Sequence, residues 1–329
     1  SGYAFTNFVC TARLSAYIYN PELPMTSGLL LCASEGSSAQ NDGAFVYLDE
    51  NGDLVLSVDG KKADTYALPK GTVFAHILVI KQNRQYRVFL KGKSEPVLQY
   101  TEAFERGGVL AVYSYNSDGG FSDIAIENLQ GDQDAQATAL VKGWNSRQTA
   151  AFSDDFSAAE LSGNYLHYNT DSANFATVDG VLRCYGATAW DGGLTVNTGT
   201  YRNFTVDFKL RFDDVDGGWM SIGMYKNRPA ATHSQTGLSL MLNPSGGVFF
   251  YSRKDEDEQK LKTSRMGNFK TDAWHDVRIV AQGNRLTAYV DGKQVSSYQN
   301  TAFSEGYISI TSGMCAFSLD DLRITPHNG

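Results

Sequence analysis

The stretch from Tyr3 to Ile126 is written a second time, with most side chains changed, from Tyr201 to Ile324. Asn7 and Phe8 answer Asn203 and Phe204, His76 answers His275, Gly92 answers Gly292, Phe104 answers Phe303, and the run from Phe121 through Asp123 answers that from Phe317 to Asp321. A repeat as long as a whole domain specifies tandem globular modules, whereas a short period would specify a solenoid. Two domains of one fold are therefore expected, over residues 1–130 and 150–329, joined by a linker over 131–149. The copies keep pattern while changing chemistry, so what they share is architecture. Function is to be sought where they differ.

Strand signals dominate both copies. In Asn203–Phe212 the residues Phe204, Val206, Phe208, Leu210 and Phe212 alternate with polar ones, the period of a half-buried antiparallel strand. Cys10, Ala12 and Leu14 repeat that alternation in the first copy. Asn51-Gly52, Asp59-Gly60, Lys91-Gly92, Asp118-Gly119, Asp179-Gly180 and Asp291-Gly292 punctuate the runs, and Asx-Gly pairs tolerate the positive φ of two-residue hairpin turns. Helix signal is confined to Asp132–Lys142, which allows a turn or two between the copies, with Trp144 pinning the linker against one domain. Many short strands joined by such turns predict an all-β chain of two antiparallel sandwiches or jelly rolls.

One asymmetry has a structural consequence. The second copy is preceded by further strand-rich sequence, from Phe152 through Val178–Cys184 to Thr198, while the first begins almost directly on its Asn-Phe strand. The first domain is therefore expected to lack its opening strands, leaving a bared inner face and unpaired backbone edges, which is costly. Upstream residues of a longer polypeptide or a partner segment would supply them. The alternative is that residues 150–200 complete the first copy by permutation.

Net charge of -8 repels phosphate backbones, and no Lys and Arg cluster offsets it, which argues against nucleic acid as a partner. No apolar run approaches the roughly 20 residues of a membrane span. No basic-then-apolar leader is present, so the sequence reads either as cytoplasmic or as a chain whose signal was removed. Of the four cysteines, Cys10 and Cys32 fall in the first copy and Cys184 and Cys315 in the second, at positions that do not correspond. Four buried free thiols are expected; the alternative is a Cys184–Cys315 bridge, which would add roughly 4 to 5 kcal/mol.

Asp154, Asp155 and Phe156, then Val178–Leu182, the Asn203-Phe204 strand, Trp274–Val280, Tyr289–Gly292 and Asp320–Ile324 stand in the order found in concanavalin-A-like lectin and glucanase sandwiches, which the chain resembles. It is most similar to family-66-type carbohydrate-binding modules of bacterial fructan-degrading enzymes and to the related domain found in keto-disaccharide hydrolases; Gly28–Leu31 and Leu48–Leu56 match strands of those modules. Such modules often carry an Arg at the end of the Gly-Leu-Leu strand, where this chain has Cys32 and, in the second copy, Met224 or Tyr225. The resemblance implies a secreted or cell-surface bacterial protein that binds glycan, joined to upstream domains of the same polypeptide.

Sugars are held by aromatic faces and by planar polar groups that bond hydroxyl pairs. The richest supply is in the second copy: Trp190, Asp191, Trp219, Tyr225, Arg228, Tyr251, Arg253 and Asp255 form the expected glycan site. The first copy offers Tyr17, Tyr19, Asn20, Glu35, Asn41, Asp42 and Tyr47, without a Trp. Retaining glycosidases of the resembled superfamily carry Glu-x-Asp-x-x-Glu on one strand, a spacing absent here. The acids of Asp255–Glu258 read as a solvated hairpin tip, and Asp154, Asp155, Asp320 and Asp321 as framework. The two histidines, assigned to one repeat position, read as structural hydrogen-bonding groups. Neither a Gly-x-Ser-x-Gly nucleophile nor a phosphate-cradling loop occurs. No cofactor is expected; Asp213–Gly217 and Asn116–Gly119 carry oxygen ligands at close spacing, which makes calcium the alternative, though neither run continues into an EF-hand loop. The expected function is a non-catalytic carbohydrate-binding pair, possible fructan direction included. A glycoside hydrolase or keto-glycoside lyase using the concave face, and a laminin-G-like adhesin segment, are the alternatives.

Overall fold

The computed structural model describes residues 5–15, 22–36, 41–69, 72, 74–117, 120–130, 133–146, 149–168, 174–186, 192–213, 217–227, 236–254, 257–267 and 269–327. The chain divides into two compact units, Ser1–Arg147 and Gln148–Gly329. Both are antiparallel sandwiches.

In the first unit, β1 (Phe8–Ser15), β2 (Thr26–Ala33), β3 (Ala44–Asp49), β4 (Leu54–Val58), β5 (Lys61–Tyr66), β6 (Phe74–Gln82), β7 (Gln85–Leu90), β8 (Leu98–Thr101), β9 (Val109–Tyr115) and β10 (Phe121–Asn128) are followed by helix α1 (Gln133–Ser146). They form two five-stranded sheets, β10-β1-β6-β7-β8 and β5-β4-β3-β2-β9. Cys10, Leu14, Leu29, Leu31, Val46, Leu54, Leu56, Ile77, Val79, Tyr86 and Val88, all at 0 % exposure, fill the space between them.

The segment read as a linker is largely helix and belongs to this unit. Ala137, Leu140, Val141 and Trp144 recur at helical spacing and pack on Val9, Leu78, Ile80 and Phe89, which point away from the sandwich core. The Lys91 ammonium lies 5.0 Å from the Trp144 ring centre and bonds its carbonyl. Tertiary cover for an outer sheet face thus extends a helix whose local signal is weak.

The second unit contains β11 (Phe152–Asp154), β12 (Tyr165–Tyr168), β13 (Phe175–Val178), β14 (Val181–Tyr185), β15 (Gly192–Tyr201), β16 (Phe204–Phe212), β17 (Trp219–Lys226), β18 (Gly237–Leu242), β19 (Gly247–Lys254), β20 (Asp257–Arg265), β21 (His275–Gln282), β22 (Arg285–Val290), β23 (Lys293–Gln299), β24 (Gly306–Gly313) and β25 (Ala316–Pro326). One sheet runs β13-β14-β25-β16-β21-β22-β23, with β11 also on β25; the other runs β12-β15-β24-β17-β18-β19-β20. Strands β11, β14 and β15 pair with β25 and β24 of their own unit, so residues 150–200 do not complete the first copy by permutation.

Strand registers align the copies residue by residue. Asn7 and Asn203 each accept a backbone N–H from the facing hairpin, at Asn83 and Gly283. Left-handed bulge residues recur at Cys32 and Tyr225 and at Asp123 and Asp321. The histidines do not align: Lys91 N–H donates to the His76 carbonyl as Asp291 N–H does to that of Asp276, so His275 matches Ala75. A slip of one residue turns a side chain to the opposite face of a sheet. His275 is buried, stacks 4.3 Å from Phe269 and has its ring nitrogens 2.7 Å from Asp291 Oδ2 and 2.9 Å from the Lys270 carbonyl. That is a structural hydrogen-bonding role.

All four cysteines are buried free thiols, and the bridged alternative is not realised, although Cys184 Sγ lies 3.8 Å from the Cys315 carbonyl. Burial pushes the Cys10 thiol up to about 12 and raises that of Cys184. Thiolates are the reactive species, so the native protein should show no rapid thiol labelling near neutral pH and release all four groups on unfolding. Rapid labelling of even one thiol in the native state would contradict this burial.

Candidate functional site

The alternation that builds the second core also decorates the outer face of the seven-stranded sheet. On β17, Met220, Ile222 and Met224 turn inward at 0 % exposure, so Trp219, Ser221 and Gly223 turn outward. On β24, Ile308 and Ile310 face the core and Ser309, Thr311 and Gly313 face out; on β19, Val248 and Phe250 face in and Phe249, Tyr251 and Arg253 out.

Register assembles these residues into rows. Gly193, Thr311, Ser221, Met241 and Phe249 stand side by side across five strands, and Thr195, Ser309, Gly223, Ser239 and Tyr251 form the next row. Ser221 Oγ and Thr311 Oγ1 are 2.5 Å apart, while the buried Ser309 Oγ has no protein hydrogen-bond partner among the described residues. Such a hydroxyl is costly unless something bonds it.

Two glycines make room for the larger groups. A Cβ on Gly313 would stand 2.0 Å from Cε2 of Trp219, so the indole lies across that glycine. A Cβ on Gly223 would stand 2.2 Å from Ser309 Oγ and 2.7 Å from Cε of the buried Lys226, whose chain therefore passes over the same row.

At the β19 edge, Lys260 Nζ lies 4.0 Å from the Phe249 ring centre and 6.0 Å from that of Tyr251, and Arg253 pairs with Glu258 at 3.3 Å. Burial, with the charge of Glu258 second, raises the Tyr251 phenol, keeping it a neutral donor. From strand spacing, Trp219 and Tyr251 are separated by about 10 Å across the strands and about 13 Å along them. An oligosaccharide could span both, whereas a single ring could not.

Of the residues expected from sequence, Trp219, Tyr251 and Arg253 thus share one face. Tyr225 does not join them. The register shift between Gly223 and Lys226 turns it inward with φ 55°, its ring 5.5 Å from Phe204 and its hydroxyl donating to the Arg202 carbonyl at 3.0 Å. Burial raises its phenol as well. Trp190, Asp191, Arg228 and Asp255 lie outside the described residues. Sequence reasoning missed Thr195, Ser221, Lys226, Ser239, Ser309 and Thr311. The signal for the hydroxyls was present: in β17 and β24 small polar residues alternate with Ile and Met, which marks a sheet whose outer face is polar yet covered.

The described members of the other candidate groups make contacts within the fold. Asp154 and Asp155 accept the backbone N–H of Phe156 and Ser157, and Asp213 is held by Arg211 at 2.8 Å and Ser318 at 2.5 Å. Asp214, Asp216 and Asp118 lie outside the described residues. In the first unit, Asp42 accepts from Ser34, and Tyr47 stacks on Phe45 at 4.5 Å within an apolar cluster that includes Leu30 and Tyr113. Its counterpart face is therefore hydrophobic where that of the second unit is hydroxylated. Tyr17, Tyr19 and Asn20 lie outside the described residues.

The sandwich with its aromatic and hydroxylated outer face coincides with a family match. The model of the 3-keto-alpha-glucoside-1,2-lyase-like domain covers residues 139–324, more than half of the chain. The chain belongs to that family. Solved structures similar to this member of the 3-keto-alpha-glucoside-1,2-lyase-like family include carbohydrate-binding module CBM66 from Bacillus subtilis, at 14 % identity over 49 % of this chain and 95 % of that one, TM-score 0.42. A putative glycosyl hydrolase from Parabacteroides distasonis is similar at 12 % identity, over 50 % and 89 %, TM-score 0.38. LamAcat from Zobellia galactanivorans is similar at 13 % identity, over 53 % and 96 %, TM-score 0.42. No curated protein sequence matches the chain. The two antiparallel sheets of each unit are the all-β sandwich architecture expected from sequence. Among the described residues, no helix is long and apolar enough to cross a membrane.

Proposed function

We propose that the second unit binds an oligo- or polysaccharide along the outer face of its seven-stranded sheet, as a non-catalytic module of a larger secreted or surface-attached bacterial carbohydrate-active protein. The observation that carries this reading is that Trp219, Tyr251 and Arg253 project from one outer face, the two rings about 10 Å apart across the strands and about 13 Å along them. The rings stack on sugar C–H faces, while Arg253 bonds sugar hydroxyls. With few contacts per site, affinity falls in the micromolar to millimolar range, about -8 to -4 kcal/mol.

The family match favours a second reading, cleavage of a glycosidic bond on the same face. Incubation with fructans, β-glucans and 3-keto-disaccharides separates the two. Binding predicts retardation in at least one polysaccharide gel with no released product; product release at wild-type rates that falls on mutation of the face establishes the lyase or hydrolase reading. Absence of both retardation and turnover would refute a carbohydrate role for this face.

A further inference from the structure

The ladder β3-β4-β5 of the first unit recurs as β18-β19-β20 in the second, down to the bulges between Leu56 and Ser57 and between Phe250 and Tyr251. Register therefore matches Val55 with Phe249, Ser57 with Tyr251 and Lys62 with Lys260. Asp49 matches Asn243, since each donates its backbone N–H across the hairpin, to the carbonyls of Asp53 and Gly247. In the first unit the Asp49 carboxylate lies 4.0 Å from the Lys62 ammonium. In the second an uncharged amide stands in its place, and the exposed Lys260 has no carboxylate partner among the described residues.

The Lys260 ammonium stands instead over aromatic faces, 4.0 Å from the Phe249 ring centre and 6.0 Å from that of Tyr251. Attraction to a ring holds a cation in place without neutralising it. Arg265, exposed beside Gly247 on the same outer face, donates to the Ser245 carbonyl at 3.3 Å and likewise lacks a carboxylate. Among the described outward residues of β17, β18, β19 and β20, Arg253, Lys260, Arg265 and the buried Lys226 are cations, and Glu258, paired with Arg253, is the one anion. The chain as a whole carries a net charge of -8. A positive patch on an acidic protein draws anions to that place and away from the rest of the surface.

We propose that the glycan taken by the second unit is acidic, a polysaccharide bearing carboxylate or sulfate groups, and that Lys260 and Arg265 select it. This deepens the glycan reading of the same face and rests on it. By strand spacing the two residues are about 13 Å apart, on either side of Phe249, so a single charged sugar reaches one of them and a polyanionic chain reaches both. The Tyr251 ring takes a sugar face while the ammonium beside it meets an anionic group.

Affinity electrophoresis of the whole chain in gels of polygalacturonate, carrageenan, inulin and laminarin tests this. Retardation in the carboxylated or the sulfated gel is expected to exceed that in either neutral gel at least about fivefold, and the stronger of the two identifies the anionic group. It should weaken as salt rises from about 0.01 to about 0.15 M, because exposed charges are screened. Lys260→Gln combined with Arg265→Gln should lower it about threefold or more, the size expected of two exposed pairs. Arg323→Gln, an exposed change on the outer face of the other sheet, should leave it unaltered. Equal or stronger retardation in a neutral gel overturns the inference and leaves glycan binding standing. Acidic-gel retention that the double variant leaves intact, or that Arg323→Gln lowers as much, also overturns it. No retardation in any of these gels overturns it too, and with no product released the glycan reading falls as well.

Discussion

Trp219→Ala is expected to lower glycan retention at least about tenfold, a loss of about 1.4 kcal/mol or more, because an aromatic platform is the kind of residue on which such sites depend. The indole lies across Gly313 on the outer face, and Met220, Ile222 and Met224 behind it stay packed, so the fold should survive the change. Gly313→Ala should produce the same loss by another route, since the new methyl group would stand 2.0 Å from the ring and force it aside. Trp274, 39 % exposed before β21 with Arg211 5.0 Å from its ring centre, is the control: Trp274→Ala should leave retention unchanged. Affinity electrophoresis in the polysaccharide that retards the parent protein gives the comparison. Unaltered mobility of Trp219→Ala would remove this tryptophan from the site.

Gly306→Ala should be among the most destabilising single changes in the second unit, by roughly 4 kcal/mol or more. A Cβ there would stand 2.2 Å from the carbonyl carbon of Tyr225 and 2.4 Å from its Cα, backbone atoms that no rotamer change can move. Tyr225 is itself held in the left-handed region at φ 55°, so the bulge has little freedom to yield. The first unit repeats the arrangement at Gly108, whose Cβ would meet Ala33 O at 2.4 Å and the Cys32 carbonyl carbon at 2.5 Å, with Cys32 at φ 54°. Gly108→Ala should accordingly destabilise the first unit. Urea unfolding of each variant gives the measurement, and a loss under about 1 kcal/mol in either would show that the close approach does not constrain the fold.

These bulges mark the boundary of what could be read from the sequence. Counting by twos from Trp219 through Ser221 and Gly223 puts Tyr225 on the same outward face. The register shift before Lys226 inserts a residue, reverses the parity and exchanges the two side chains: Tyr225 enters the core and Lys226 passes over Gly223. The misaligned histidines are a similar error of one residue. Helix α1 went largely unread because its apolar stripe makes sense only against Val9, Leu78, Ile80 and Phe89, which already looked satisfied as strand residues.

Period-two alternation and Asx-Gly turns determined the all-β class, the strands and the hairpins by themselves. At Asp59-Gly60, Asp179-Gly180 and Asp291-Gly292 both residues take the positive φ that such turns require. The duplication, and the opening strands that only the second copy possesses, were equally legible, because both are properties of the order of residues along the chain. Which hydroxyls stand beside Trp219 and which tyrosine is core were decided by tertiary structure alone. Each depends on the register between strands far apart in sequence, and a single inserted residue reverses every face beyond it.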